Sequence, residues 1–400
     1  MIVLIADRLP TFVATRLESL GATVVADPSL KDEGLETRLR EVNPDVLIVR
    51  STRVQAGHIE AATALQLIVR AGAGVNTIDL DVASSRAVSV ANCPGMNAIA
   101  VAELAMGHIL NADRRIADNV ADLKAGQWRK KRYSKATGLK GSTLGVIGAG
   151  AIAQAVVARA RAFEMNVLCY APELDDAMAE RLGVELCDSV LAVADRCSIL
   201  TVHVPLMEQT RHLIGAEVIA ALPDSATVVN TSRGGIVDER ALADAVRDRD
   251  FRAGLDVFEV EPAADGSFDC PIACVDGVYG THHIGASNDQ AQSAVAEEAC
   301  RIIQKWYETG EAPNCVNMRT VSVATHQLVV RHLDRVGVLA GLLDLLRSQG
   351  MNVQGMRNVI YSGENGAACA RIKVVGDPGS ALLAEMKAIE NILDVTVVSL

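Results

Sequence analysis

The chain has 400 residues, of which 50% are hydrophobic and 22% are charged, a composition typical of a globular protein with more than one domain. Its formal net charge of −11 argues against binding to nucleic acid or to an anionic membrane surface. No apolar stretch is long enough to span a membrane, and the N-terminal MIVLIADRLP is typical of a first strand rather than a signal peptide. The nine cysteines are scattered and odd in number, which favours the reducing cytoplasm over a disulfide framework, and their spacing predicts no metal site.

In the first part of the chain, strand-like runs alternate with helical ones. The strand-like runs are IVLIAD (2–7), TVVAD (23–27), DVLIVRS (45–51), LQLIVRAG (65–72) and AVSVAN (87–92). They are almost continuously apolar and are separated by amphipathic segments, so they predict a parallel sheet with helices on both faces. A long helical pattern follows at about residues 98–127.

A second alternating block opens with TLGVIGAG (143–150), a strand followed by a glycine-rich turn. Gly148 permits the tight turn, Gly150 lets the backbone approach a pyrophosphate, and the helix that opens at Ala151 directs its N-terminus at the phosphates. The further strands predicted in this block are NVLCYA (166–171), SILTVHV (198–204), ATVVNTS (226–232), AGLDV (253–257) and GVYGTHH (277–283). The block therefore predicts a second parallel sheet that binds a dinucleotide.

The sequence after the second strand of this block bears on the choice of dinucleotide. The acid that usually ends that strand and binds the adenosine ribose is absent, because Ala171 occupies its place. Glu173, Asp175 and Asp176 lie just beyond, and these carboxylates would repel a 2′-phosphate. We therefore expect NAD rather than NADP, with Glu173 as the candidate ribose ligand.

Three polar segments each follow a strand of the second sheet, namely NTSRGGIVDE (230–239), GLDVFEVEP (254–262) and GTHHIGAS (280–287). Ligands of an open parallel sheet bind beyond these strand ends. Arg233 can bind a carboxylate through two parallel hydrogen bonds, and a histidine can exchange a proton with a hydroxyl. Adjacent residues on a strand point to opposite faces, so only one of His282 and His283 can face the site. An acid that orients this histidine is expected at Glu259 or Glu261.

These segments resemble those of the D-2-hydroxyacid dehydrogenase family. The resemblance covers nearly all of residues 1–318 and includes RAGAGVNTID (70–79), NCPGMNAIAVAEL (92–104), the glycine-rich turn, HVPLMEQTRHLIG (203–215), NTSRGG, DVFEVEP and HIGAS. It implies that His283 is the catalytic histidine and that His282 replaces the family's proline. It also implies that Glu261 partners the histidine and that Arg233 binds the substrate carboxylate. The other cofactor-binding residues that we expect are Ile152, Ala171, Pro172, Val204, Pro205, Thr231 and Asp256, the last one at the nicotinamide carboxamide.

Two basic segments, RSTR (50–53) and WRKKR (128–132), stand out in this acidic chain. A phosphorylated hydroxy acid carries about three negative charges at neutral pH and needs such cations. In 3-phosphoglycerate dehydrogenases, which this chain resembles, similar segments hold the substrate phosphate, and the glycine-rich turn at 74–75 is placed to bind the carboxylate. The expected substrate ligands are Arg50, Ser51, Arg53, Gly74, Val75, Arg129 and Lys131.

After EAPNCVN (311–317) the pattern becomes β-α-β-β-α-β, the order of a small ferredoxin-like domain. This part resembles the amino-acid-sensing ACT domain that follows the dehydrogenase in 3-phosphoglycerate dehydrogenases. By that resemblance His332, Asp334 and Asn352 match serine ligands, although Asp334 replaces an asparagine. The alternative is a domain that only mediates contacts within an oligomer.

The sequence thus predicts an α/β fold with three domains. A Rossmann nucleotide domain (99–286) is inserted into a flavodoxin-like substrate domain (1–98 and 287–318), and a ferredoxin-like α+β ACT domain (319–400) follows. The expected function is NAD-dependent oxidation of 3-phospho-D-glycerate by a homodimer or homotetramer. The alternatives are another D-2-hydroxyacid dehydrogenase, such as a glyoxylate or hydroxypyruvate reductase, and a non-enzymatic NAD sensor.

Overall fold

The computed structural model describes residues 1–262, 266–319, 321–363 and 366–400. Contacts between residues divide the chain into two compact units, Met1–Asn317 and Met318–Leu400. Within the described ranges, no helix is both long enough and apolar enough to cross a membrane.

A five-stranded parallel sheet forms one half of the first unit. Its strands are β1 (Ile2–Ile5), β2 (Thr23–Ala26), β3 (Val46–Val49), β4 (Leu67–Arg70) and β5 (Ser89–Asn92). Their order, β2-β1-β3-β4-β5, is the flavodoxin-like order. The helices between these strands are α1 (Phe12–Ser19), α2 (Asp32–Val42), α3 (Ala56–Ala61) and α4 (Leu80–Ser85). A much later helix (Asp289–Thr309, named α12 below) returns to bury Val295, Ala299 and Ile303 in the core of this sheet.

A seven-stranded parallel sheet forms the other half of the first unit. Its strands are β6 (Thr143–Ile147), β7 (Asn166–Tyr170), β8 (Glu185–Leu186), β9 (Ile199–Val202), β10 (Thr227–Asn230), β11 (Arg252–Leu255) and β12 (Val278–Gly280), in the order β12-β11-β10-β9-β6-β7-β8. Its helices are α5 (Ala98–Arg114), α6 (Ile116–Lys124), α7 (Ala151–Ala162), α8 (Asp176–Leu182), α9 (Val190–Ala194), α10 (Ala216–Ala221) and α11 (Glu239–Asp248), and α12 (Asp289–Thr309) follows the sheet. The predicted α/β architecture with two parallel sheets is confirmed.

The strand order of the second sheet reverses between β6 and β9, and ligands of doubly wound folds bind at such a point. Gly148 follows β6 with φ +104°, and a Cβ there would lie 2.5 Å from the carbonyl oxygen of His203, which follows β9. Only glycine therefore fits at position 148. The two chain segments that leave the switch point pack directly against each other.

Two predicted elements end earlier than the sequence pattern suggests. The helical pattern at 98–127 is two helices, because Arg115 adopts a left-handed conformation (φ +50°) that ends α5 and precedes α6. The strand predicted over 277–283 ends at Gly280, so His282 and His283 lie in the following turn. The alternation of side chains along a strand therefore does not apply to these two histidines.

The second unit is a four-stranded antiparallel sheet with two helices. Its elements are β13 (His326–Leu333), α13 (Val338–Ser348), β14 (Val353–Ile360), β15 (Ala367–Val374), α14 (Gly379–Lys387) and β16 (Ile392–Ser399). The sheet order is β14-β15-β13-β16, which is the ferredoxin-like arrangement of a β-α-β-β-α-β chain. Its core buries Leu328, Val330, Leu342, Leu346 and Ile372.

Candidate active site

A cleft of about 970 Å³ lies at the carboxyl ends of strands from both parallel sheets. This position is expected for the ligand site of an open parallel sheet. The predicted site residues that line the cleft are Gly74, Val75, Ile152, Val204, Pro205, Thr231, Arg233, Asp256 and His283. His282 is exposed and is not part of the lining. The cleft therefore brings together residues that are far apart in the sequence.

His283 and Glu261 form a hydrogen-bonded pair at the edge of the cleft. His283 Nδ1 lies 2.8 Å from Glu261 Oε2, and Glu261 Oε1 accepts a hydrogen bond from the Phe258 N–H at 3.0 Å. Burial by itself would raise the pKa of Glu261, but these hydrogen bonds and the charges of His283 and Arg233 hold that pKa below its ordinary value. Glu261 is therefore ionised at neutral pH and fixes the His283 proton on Nδ1. Nε2 is then the nitrogen that can exchange a proton with a ligand.

A turn, rather than a strand, sets the direction of His283. The residue adopts a left-handed conformation with φ +51°, and its N–H donates to the carbonyl oxygen of Asp256 at 2.8 Å. Histidine is one of the residues that tolerate this conformation more readily than most. The turn directs His283 into the cleft and leaves His282 outside it.

Glu259, the competing acid, has different partners. Its Oε1 lies 3.1 Å from His212 Nε2 and accepts the Glu239 N–H at 3.2 Å. The Glu259 N–H in turn donates to the Glu239 carboxylate. This geometry favours Glu261 over Glu259 as the partner of His283.

A smaller cavity of about 400 Å³ adjoins the cleft, and Asn97, His283 and Ala286 line both. The polar residues that line only the smaller cavity include Asp7, Arg8, Arg50, Ser51, Arg70 and Gln292. The sequence analysis above predicts Arg50 and Ser51 but misses Arg8 and Arg70. Arg70 is the last residue of β4, and Arg8 follows β1 closely, so the rule that ligands bind at strand ends was the available signal.

Asp7 holds the loop that carries Arg50. Its Oδ2 accepts the N–H groups of Arg50, Ser51 and Thr52 at 2.6, 3.1 and 3.0 Å, and its Oδ1 accepts the Ser51 hydroxyl at 3.1 Å. The Arg50 guanidinium contacts the neutral Gln292 side chain at 3.3 Å. The carboxylate of Asp7 is thus occupied by the backbone of the loop, and the Arg50 charge remains available to a ligand.

Arg70 is largely buried next to two other arginines. Burial, followed by the positive charges of Arg233 and Arg50, lowers the pKa of Arg70 below its ordinary value. Its buried Nε has no hydrogen-bond partner among the described residues. A Cβ at Gly72 would lie 1.6 Å from Arg70 Nη1, so the missing side chain at Gly72 leaves the space that the guanidinium occupies. The repulsion between these three positive charges destabilises the empty site, and a bound anion would offset it.

Three expected substrate ligands do not reach this site within one copy of the chain. Arg53 lines neither cavity. Arg129 lies 3.5 Å from Asp122 of α6, and Lys131 lines a separate depression together with Arg114, Arg115, Arg132 and Lys135. Asp122 also binds Arg132 at 3.7 Å and the Tyr133 hydroxyl, so the basic segment is held against α6. Within one copy of the chain these residues line neither of the two cavities, so their role as substrate ligands stays a prediction.

The nucleotide side of the cleft fits a dinucleotide. Gly150 begins α7, and the position of a Cβ there has no neighbour within 4 Å, so the helix N-terminus is open to a phosphate. Two buried atoms of the lining, His203 Nδ1 and Thr231 Oγ1, have no hydrogen-bond partner in the part of the chain that the structure describes. A buried polar atom left unpaired costs about 1–3 kcal/mol, which a polar ligand can offset.

The acidic residues after β7 lie where the sequence places them, beyond a strand end. Ala171 is buried directly after β7, Pro172 follows it, and Glu173 is exposed.

Among the described residues, no group of three or more His, Cys, Asp or Glu side chains can hold a metal ion.

The three expected serine ligands do not form one site within a single copy of the second unit. His332 is buried, with Nδ1 at 2.8 Å from the Leu333 carbonyl oxygen and Nε2 at 3.2 Å from Asn358 Oδ1. Asp334 directly follows Leu333, which pairs with Ala367 at the start of β15. Asn352 directly precedes Val353, which pairs with Val374 at the other end of β15. An eight-residue strand spans roughly 25 Å, so Asn352 lies far from the other two.

Comparison with known proteins identifies the family. Residues 106–285 match the NAD-binding domain of D-isomer-specific 2-hydroxyacid dehydrogenases. D-3-phosphoglycerate dehydrogenase of Methanocaldococcus jannaschii is 41% identical over 365 residues, which cover 90% of this chain and 67% of the relative. Hydroxypyruvate reductase of Thermotoga maritima is 44% identical over 263 residues, which cover 65% of this chain and 84% of the relative. This chain spans only about two thirds of the length of several D-3-phosphoglycerate dehydrogenases that it matches.

A solved structure supports the same relationship. The NAD+-bound 3-phosphoglycerate dehydrogenase of Entamoeba histolytica superimposes with a TM-score of 0.65 at 25% identity, covering 80% of this chain and 99% of that one. The histidine–glutamate pair and the glycine-rich turn both fall within residues 106–285. The chain belongs to the D-2-hydroxyacid dehydrogenase family, and residues 106–285 are its NAD-binding domain.

Proposed function

We propose that the chain catalyses the NAD-dependent oxidation of 3-phospho-D-glycerate to 3-phosphohydroxypyruvate. The observation that carries this proposal is the group of Arg8, Arg50 and Arg70 in the cavity that adjoins His283. A simple hydroxy acid has one carboxylate, for which Arg233 suffices. A phosphorylated hydroxy acid carries about three negative charges and accounts for the additional arginines.

Different residues of the cleft bind the substrate and transfer its proton. Arg233 and the backbone of Gly74 and Val75 bind the substrate carboxylate; a Cβ at Gly74 would lie 2.9 Å from Arg233 Nη2, which shows how closely the two approach. Arg50 and Arg70 bind the phosphate. His283 Nε2 accepts the proton of the C2 hydroxyl, and Glu261 stabilises the imidazolium that results.

NAD supplies the hydride acceptor when it is bound. The residues that we propose to hold it are Gly148, Gly150, Ala151, Ile152, Ala171, Pro172, Glu173, Val204, Pro205, Thr231 and Asp256. The carboxylate of Asp256 already accepts hydrogen bonds from Thr281, Ile284 and Gly285, which leaves roughly one further acceptor site for a carboxamide N–H.

The second candidate function is the reduction of an unphosphorylated 2-oxo acid. The similarity to a hydroxypyruvate reductase favours it, since that relative is covered over most of its length. In that case Arg233 and His283 keep their roles, and Arg8 and Arg70 contribute little to the reaction. Substrate preference therefore separates the two candidates.

We also propose the domain roles that follow from this assignment. Residues 99–286 form the nucleotide domain, inserted between residues 1–98 and 287–318 of the substrate domain, and residues 319–400 form an ACT domain. The ferredoxin-like order of the second unit supports the last assignment. Because Asn352 lies far from His332 and Asp334, a serine site made of all three requires two copies of the chain, as in a homodimer or homotetramer.

All nine cysteines are unpaired, which supports a reducing compartment such as the cytoplasm.

The test is an assay of NADH oxidation at 340 nm with 3-phosphohydroxypyruvate, hydroxypyruvate, glyoxylate and 2-oxoglutarate, with NADPH in parallel. We expect NADH to be preferred and the phosphorylated acid to have the highest kcat/KM. A preference for an unphosphorylated acid would favour the second candidate function. NADH binding without turnover of any of these acids would contradict both and favour a sensor of NAD.

A further inference from the structure

A line of hydrogen bonds runs behind the His283 turn, from the core side of α5 to Asp256. His108 Nε2 lies 3.1 Å from Thr281 Oγ1, and Thr281 Oγ1 lies 2.6 Å from Asp256 Oδ1. His108 is 4% exposed and Asp256 is 1% exposed, so water does not compete for these bonds. The two bonds connect a buried histidine of α5 to the carboxylate beneath the turn.

Asp256 binds three consecutive N–H groups of that turn. Its carbonyl oxygen accepts the His283 N–H at 2.8 Å, its Oδ1 accepts the Ile284 N–H at 2.8 Å, and its Oδ2 accepts the Gly285 N–H at 2.8 Å. His283 itself has φ +51°, a conformation that persists only where the surroundings impose it. The orientation of one carboxylate therefore fixes the backbone that carries the candidate catalytic histidine.

The direction of each hydrogen bond follows from the donors that are available. An ionised carboxylate only accepts, so the Thr281 hydroxyl donates its proton to Asp256 and must accept from His108. Burial lowers the pKa of His108 below its ordinary value, although the charge of Asp256 opposes this shift, so the ring is neutral at pH 7. Its single proton then lies on Nε2, the atom that faces Thr281.

The surrounding backbone leaves this arrangement little freedom. A Cβ at Gly254 would lie 2.6 Å from His108 Cβ, and a Cβ at Gly285 would lie 3.1 Å from Asp256 Oδ2. The histidine and the carboxylate therefore each pack directly against a glycine. Neither His108 nor Thr281 lines the cleft, so neither is placed to touch a bound ligand there.

We propose that Thr281 and His108 are positioning residues for the reaction at His283, and that they act through Asp256. Together they hold the Asp256 carboxylate in the orientation that binds the N–H groups of Ile284 and Gly285 and, through this turn, fixes the direction of His283 Nε2. This inference rests on the proposed function for its kinetic test. The hydrogen exchange of the ligand-free protein tests it without any turnover.

The kinetic test compares Thr281→Val, which keeps the shape but removes the hydroxyl, with Thr281→Ser, which keeps the hydroxyl. We expect Thr281→Val to lower kcat about 10- to 100-fold with KM nearly unchanged, because a small misplacement of a reacting group has effects of this size. The unfolding midpoint should also fall, because the buried His108 Nε2–H loses its acceptor. Thr281→Ser should retain kcat within about threefold. His108→Gln, whose amide can donate in place of Nε2, should retain more activity than His108→Leu.

The second readout is the amide hydrogen exchange of residues 283–285 in the full-length protein without ligand. Faster exchange in Thr281→Val than in Thr281→Ser supports the proposal, even if the wild-type chain turns over none of the offered acids and the proposed function fails. Equal kcat and equal exchange in the two variants would overturn it. A loss in Thr281→Val that is confined to the unfolding midpoint would also overturn it.

Discussion

Two histidine–glutamate pairs have glutamates only two positions apart in the sequence but differ in what surrounds them. Glu261 pairs with His283 and Glu259 pairs with His212, and both histidines adopt a left-handed backbone, with φ +51° and +50°. His283 lines the cleft, whereas His212 does not. The same two residue types in similar local geometry are therefore placed for different roles.

The partners of each carboxylate explain the difference. One oxygen of Glu261 accepts the Phe258 N–H and the other binds His283 Nδ1. The orientation of the His283 ring is therefore fixed, and its Nε2 is left for a ligand. Glu259 instead exchanges hydrogen bonds with Glu239, each backbone N–H donating to the other's carboxylate. The second pair thus holds the chain segment in place, and the first pair is available for proton transfer. Residue type and spacing alone do not separate these roles.

Replacing the histidine of each pair should give the largest difference in kcat between the two pairs. His283→Ala should lower kcat by roughly 10²–10⁴, because it removes the proposed acid–base group. His212→Ala is the matched control and should leave kcat within about threefold, since His212 lies outside the cleft. Steady-state rates for both variants check this prediction. Equal losses in the two variants would show that the pairs are not distinct in function.

Replacement of each acid by its amide is expected to have an intermediate effect. Glu261→Gln should lower kcat/KM about 10- to 150-fold, the equivalent of losing one hydrogen bond to a charged group. Glu259→Gln keeps an oxygen that can accept the Glu239 N–H and should change kcat/KM by less than threefold or so. Kinetics at pH 7.5 measure both. A larger loss in Glu259→Gln would reassign the partner of His283.

The pH dependence of stability should give the smallest effects, with opposite signs for two acids. The pKa of Glu261 is held low, so its contribution to stability is present above about pH 4.5 and is lost as pH falls through its folded pKa. Burial is the largest cause that raises the pKa of Glu239, and the nearby charges of Glu259 and Glu261 add to it, although the hydrogen bond from the Glu259 N–H opposes the shift. Ionisation of Glu239 therefore destabilises the fold increasingly above about pH 4.5.

At pH 7.5, Glu261→Gln should therefore lower the unfolding midpoint and Glu239→Gln should raise it. Each effect is expected to be on the order of 1 kcal/mol or less, because both groups are partly solvated. Both differences from wild type should shrink towards pH 4. Thermal unfolding of the three proteins across this range is the measurement. Shifts of the same sign would contradict the electrostatic account of the two pairs.

The sequence was sufficient for features that depend on periodicity and on turns that need glycine. The two parallel sheets, the switch-point turn at Gly148 and the strand-end position of Arg233 and Asp256 all follow from such patterns. His283 was predicted for a reason that does not hold, because β12 ends at Gly280 and a turn directs the side chain. The resemblance, rather than strand alternation, points to His283 instead of His282, and the role of His283 stays a prediction.

The features missed or misplaced depend on long-range packing. Arg70 ends β4, and this strand-end position was its only signal in the sequence, because its neighbours Arg50 and Arg233 come from distant segments. Arg129 and Lys131 were expected as phosphate ligands from their charge and from the resemblance, but within one copy of the chain Asp122 binds this segment against α6. The role of Thr281 emerges only where three segments meet at Asp256.

The most direct test is the ratio of kcat/KM for 3-phosphohydroxypyruvate to that for hydroxypyruvate, measured in the wild-type chain, in Arg70→Gln and in Arg247→Gln. The account predicts a wild-type ratio of about 100 or more, and a ratio at least about tenfold lower in Arg70→Gln, because a charge-assisted contact to the phosphate is lost. Arg247 lies on α11, is exposed beside Asp244 and lines neither cavity, so Arg247→Gln should change the ratio by no more than about twofold. A wild-type ratio near one, or an equal fall in both variants, would contradict the claim that the arginine cavity beside His283 selects a phosphorylated substrate.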